Sequence, residues 1–95
     1  MTATEVPYET MALCMKGLEI TQKIVGKSNP NAASDLGVAA LNLLAGLKGA
    51  YLNVKINLPS IKDEAIAAGF EAAESMVVRA QKTAEKIYEE VLESL

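Results

Sequence analysis

The sequence predicts an all-α protein of three long helices, and three observations point to it. Apolar residues recur at spacings of three and four through three separate stretches. Clusters of Pro, Gly, Ser and Asn divide those stretches. Hydrophobic residues make up 51% of the 95 and aromatic residues only 4%, so a core must be built from Ala, Leu, Ile, Val and Met.

The first stretch is expected from about Pro7 to Val25. Proline suits an opening helical turn, where its missing N–H would have had no partner. Met11, Cys14, Met15, Leu18 and Val25 share one face. Gly26 is placed to end the helix in a left-handed conformation.

The second stretch is expected from about Ser34 to Ile56. No charge interrupts Leu36 to Leu47, and apolar residues point in every direction around the helix. Such a helix is either buried all round or lies in a membrane. Asn42, Lys48 and Asn53 break the run short of the roughly 20 residues a span requires, so the soluble reading is preferred. A free three-helix unit would leave this helix a wet face it lacks the residues for. A second copy or another segment is therefore expected to cover it.

The third stretch opens at Pro59-Ser60-Ile61-Lys62-Asp63, which resembles a capping box, and runs to the C-terminus. Ile66, Phe70, Ala73, Val77, Ala80, Ala84, Ile87 and Val91 form a coiled-coil-like seam. The charges from Glu71 to Glu90 read as a solvated face.

Net charge is −3, and no basic stripe interleaved with aromatics favours nucleic acid. There is no histidine, which removes the usual neutral-pH acid–base group and the commonest metal ligand. The single cysteine, Cys14, cannot form an internal disulfide and fits a core position, which suits a reducing, cytoplasmic setting. The first residues have no basic side chain before Lys16 and do not read as a signal peptide.

Polar chemistry gathers in two places. Asn29, Asn31, Ser34 and Asp35 precede the most apolar helix, as helix caps or as the wall of a site. Asn53 and Asn57 share a face near its end, either in buried structural hydrogen bonds or in a site, with Lys55 and Lys62 close by. Tyr51 and Tyr88 read as half-buried packing residues.

The string NPNAASDLGVAALNLLAGLKGAYLNVKINLPSIKDEA resembles the formiminotetrahydrofolate cyclodeaminase family, which includes methenyltetrahydrofolate cyclohydrolases. Three blocks carry the resemblance. The first is Asn29, Pro30, Asn31, Ser34, Asp35, Gly37, Val38, Ala40 and Leu41. The second runs Gly49, Ala50 and Asn53 to Leu58, and the third is Lys62, Asp63 and Glu64. The preceding ATEVP is also similar. Family members carry an earlier segment with a proline and a run of glycines, and it is absent here. The resemblance therefore implies the C-terminal part of a helical-bundle domain, 1–95, commonly dimeric.

It also implies action on a tetrahydrofolate one-carbon unit, with the folate as substrate, no covalently bound cofactor and no metal. In cyclodeamination, folate N10 attacks the formimino carbon, ammonia leaves and a cationic methenyl bridge forms. In the cyclohydrolase reaction water adds to that bridge. Both reactions need a proton-moving group and gain from a negative charge near the cation. Asp35 is the candidate for that role, with Lys62 as a second catalytic candidate. Asn29, Asn31, Ser34, Asn53, Lys55 and Asn57 are candidates for substrate binding. The expected partners are a folate and a second copy or the N-terminal half of the domain, with no nucleic acid and no membrane. Two other readings stand beside this one: a helical dimerisation module without activity, and a small-anion binder at the start of the second helix.

Overall fold

The computed structural model describes residues 5–27, 30–57 and 64–95. Three helices form an antiparallel up-down-up bundle: α1 (Glu5–Ile24), α2 (Pro30–Asn57) and α3 (Glu64–Ser94). The bundle measures 49 × 18 × 16 Å. This all-α architecture is the one the spacing predicts.

The apolar face of α1 forms as expected. Met11, Met15, Leu18 and Val25 are buried, and Cys14 is half-buried against them. The backbone leaves the helix at Gly26, whose φ of +86° is the left-handed conformation that favours glycine. Inside α1, the Thr21 hydroxyl donates to the Gly17 carbonyl at 2.8 Å, so this buried polar group is satisfied.

α2 begins at Pro30, four residues earlier than expected. A proline with fixed φ and no N–H to satisfy is well suited to the first turn. Ser34 and Asp35 therefore sit in the second turn and are not caps. One face of α2 is buried through Ala33, Ala40, Leu47, Ala50 and Val54. The opposite face is also apolar but lies open: Val38, Leu41, Leu52 and Ile56 are 47–74% exposed. Burial all round is thus not reached within one chain.

The α3 seam is buried at Ala73, Ala80, Ala84, Ile87 and Val91, with Val77 packed against it. Ile66, Phe70 and the Ser60–Asp63 capping box lie outside the residues whose side chains are described. The charged face from Glu71 to Glu90 is exposed. Among the described residues, an ion pair crosses from it to α1, Arg79 Nη2 to Glu19 Oε1 at 3.3 Å. Both partners are more than half exposed, so the pair adds little.

Small residues set the helix spacing. A Cβ on Gly17 would meet both terminal carbons of Leu43 at 3.1 Å, and one on Gly46 would meet Cys14 Sγ at 3.4 Å. Gly49 has nothing within 4 Å of such an atom, so no packing within the chain requires it.

Candidate functional site

The sequence-predicted residues fall into two groups at opposite ends of α2. Ser34 and Asp35 are exposed in its second turn, and Asn31 lies in its first. Asn53 and Lys55 are exposed in its last turns, and Asn57 is its final residue. At 1.5 Å rise per residue, Asp35 and Asn53 stand about 27 Å apart on one continuous helix. A single chain does not bring them together. Asn29 and Lys62 lie outside the described residues, as do the side chains of Asn31 and Asn57. Asn53 is exposed rather than buried, and it takes part in an interaction within the chain.

A shallow groove runs beside the C-terminal group. It occupies about 450 Å³ between the start of α1 and the second half of α2, lined by Val6, Pro7, Thr10, Gly46, Gly49, Ala50 and Asn53. The two glycines leave bare backbone along one wall. Asn53 supplies amide donors and an acceptor at its end. The Thr10 hydroxyl donates to the Val6 carbonyl at 3.0 Å, and its oxygen can still accept a hydrogen bond.

Thr10, Gly46 and Gly49 were not singled out as site residues from the sequence. The available signal was the Gly46–Gly49 spacing of three, which bares one side of a helix, but it reads equally as close helix packing. The structure separates the two: Gly46 packs on Cys14, and Gly49 does not pack.

A second groove of about 410 Å³ lies between α1 and α3, lined by Gln22, Arg79, Lys82, Thr83, Glu85, Lys86 and Glu89. Its charges are mixed in sign and exposed, as a solvated face should be. Among the described residues, no group of three or more His, Cys, Asp or Glu is placed to hold a metal ion. Among the same residues, no helix is long and apolar enough to cross a membrane.

The Tyr51 phenol, half-buried on α2, has its pKa raised by burial first and by the Glu74 carboxylate second. It is therefore held neutral and serves as a packing residue with a polar tip.

The set of groups on α2 can do limited but definite chemistry. An exposed carboxylate can accept or return a proton and stabilise a nearby cation. Amides can orient a polar ring. Lysines can meet carboxylates.

The sequence profile of the formiminotransferase-cyclodeaminase family matches residues 1–76. The chain is also 36% identical over 91 residues to a methenyltetrahydrofolate cyclohydrolase of Methylorubrum extorquens. That match covers 95% of this chain and 44% of the relative, so the chain spans under half of that protein's length.

Proposed function

The chain belongs to the formiminotransferase-cyclodeaminase family, and from that premise we propose that it serves folate-dependent one-carbon chemistry, as part of a cyclohydrolase or cyclodeaminase unit. The observation that carries the reading is the 36% identity sustained over nearly the whole chain, which includes both polar groups of α2.

The proposed roles follow the chemistry of the cationic bridge. In the hydrolytic direction, water attacks the methenyl carbon. Asp35 takes up the proton the water releases, and its negative charge stabilises the cation before attack. In the deaminating direction, N10 closes on the formimino carbon, and the same carboxyl group passes a proton to the departing ammonia. Asn53 and Asn57 orient the pterin beside the Gly46–Gly49 wall, about 27 Å along α2 from the same chain's Asp35, so on this reading the two ends belong to one site only with a further segment or copy between them. Lys55 and Lys62 meet the anionic glutamate tail, with Lys62 also the second candidate for proton transfer. A further segment of the domain encloses the groove, and the greater length of the relative supports this.

Calorimetric titration of the chain with methenyl-tetrahydrofolate tests the reading, with tetrahydrofolate lacking the one-carbon unit as comparison. Saturable binding that weakens when Asn53 is changed to alanine is expected. Equal, unsaturable heats from both ligands, with and without a complementing N-terminal segment, would overturn it.

A further inference from the structure

We propose that Gly49 sets what the groove beside Asn53 accepts: the side chain it lacks leaves the space in which the fused ring of a reduced pterin lies against the backbone of α2. This deepens the folate reading and rests on it.

Gly49 weakens its helix, and nothing inside the chain offsets the loss. Glycine is the poorest helix former after proline, because it gives up the most backbone freedom on folding. α2 carries three glycines. Two of them let another helix approach. A Cβ on Gly37 would stand 3.3 Å from a methyl carbon of Val91, and one on Gly46 would stand 3.4 Å from Cys14 Sγ. A Cβ on Gly49 would meet nothing within 4 Å. The backbone does not call for glycine there either, since among the described residues a positive φ occurs only at Gly26.

The groove supplies the reason that packing and conformation do not. Gly46, Gly49, Ala50 and Asn53 recur at helical spacing and line it from α2, while Val6 and Thr10 line it from α1. Gly49 stands at the middle of the α2 wall. Asn53 follows one turn later, about 6 Å along the axis, so a ring lying over Gly49 has its edge within reach of the Asn53 amide. That amide carries two N–H donors and an acceptor oxygen, enough to keep its contact within the chain and still meet a ring edge.

The chemistry of the lining selects which part of a folate enters. Among the described residues, none that lines the groove is charged. The anionic tail would find no counter-charge there and would lose its hydration without recompense. The pterin ring carries neutral N–H, amino and carbonyl groups, which an amide and a hydroxyl can satisfy. A methyl group at position 49 would rise from the wall and hold the ring off the backbone. Van der Waals contact falls steeply across such a gap, and the ring edge would move out of register with Asn53.

Gly69 of α3 provides a control. It has equally open space around a Cβ and does not line this groove. Alanine there adds the same methyl to a helix without touching the groove.

Calorimetric titration of the chain, alone and with the complementing N-terminal segment, tests the proposal with three probes. They are methenyl-tetrahydrofolate, a tetrahydropterin without the tail, and p-aminobenzoylglutamate, the tail without the pterin. Gly49→Ala should weaken binding of the first two by roughly tenfold or more, the scale of one methylene in a fitted pocket. It should leave binding of the third unchanged, and Gly69→Ala should leave all three unchanged. The urea midpoint of Gly49→Ala should rise, so that the variant is more stable and binds less, which unfolding cannot produce. A Gly49→Ala chain that binds the folate as the parent does overturns the proposal and leaves the folate reading standing. Weakened binding of p-aminobenzoylglutamate with the tetrahydropterin unaffected also overturns it, because the tail would then occupy the groove. So does loss of association with the N-terminal segment in sedimentation, which would make Gly49 a contact for protein. A parent that binds no folate with or without the segment rejects the folate reading itself, and this proposal with it.

Discussion

The Cβ that Gly37 lacks would sit 3.3 Å from a methyl carbon of Val91 and 3.5 Å from the other. α2 and α3 touch there with nothing between them. Val91 is buried and β-branched, so its side chain has little freedom to turn aside. Gly49, on the same helix, has no neighbour within 4 Å.

These two glycines give opposite predictions for one substitution. Alanine is favoured over glycine in a helix interior by about 1 kcal/mol. Crowding a packed site costs about 1–3 kcal/mol. Gly37→Ala should therefore lower stability by about 1 kcal/mol net. Gly49→Ala should raise it by about 0.5–1 kcal/mol when measured on the monomer at high dilution. Urea unfolding followed by circular dichroism checks both. A stabilised Gly37→Ala would show that Val91 moves more easily than its branching allows.

Tyr51 predicts an alkaline limit. Its pKa in the fold lies above the ordinary phenol value, through burial and then through Glu74. The native state thus holds the proton more tightly than the unfolded chain. The stabilisation is fully present below the unfolded-state pKa of about 10 and is lost as pH rises through the higher folded value. Tyr51→Phe has no proton to lose and should remove this component. Melting temperatures of parent and variant should diverge above pH 10 more than between pH 7 and 9. Parallel curves throughout would mean the phenol is wet enough to ionise freely.

The three helices and their buried faces were legible because helical spacing reports on packing within one chain. Met11, Leu18, Ala80 and Ile87 are buried where that spacing puts them. The start of α2 lies earlier than the spacing suggests because Ser34 and Asp35 are good caps by type, while Pro30 is a still better opening residue. The apolar surplus of α2 was legible as a surplus, but which side stays open depends on how α1 and α3 lie against it. The candidate site was legible only as residue types. That its two halves stand at opposite ends of one helix follows from α2 being unbroken from Pro30 to Asn57, as the expected helix from Ser34 to Ile56 already implies.

Asp35 offers a direct test of the proposed chemistry. It is exposed and lies inside α2, so its carboxylate caps nothing. Asparagine keeps its shape but cannot take up a proton or offset a cation. In the complete protein, Asp35→Asn should lower kcat by roughly 100-fold or more, the usual scale for a lost general acid–base group. The melting temperature should hardly change, because no packing is lost. Equal turnover in variant and parent would remove Asp35 from the mechanism and leave it a surface residue.

The final prediction concerns what these 95 residues do by themselves. The groove beside Asn53 is open, and Asp35 does not line it. A further segment or copy would have to bring a carboxylate to that end of the helix, and nearness alone is not enclosure. Catalysis requires the reacting carbon to be held to within about 0.5 Å, in a site from which bulk water is excluded. An apolar face is covered by almost any complementary surface, whereas a substrate is positioned only by a complete wall. The chain should therefore bind methenyl-tetrahydrofolate weakly and turn it over little faster than solution does. Supplying a glycine-bearing N-terminal segment of the family, by fusion or in trans, should tighten binding and restore turnover. Single-turnover assays on the chain with and without that segment decide the matter. Turnover at rates typical of enzymes from the 95 residues alone would place the whole site within these three helices and make the further segment unnecessary.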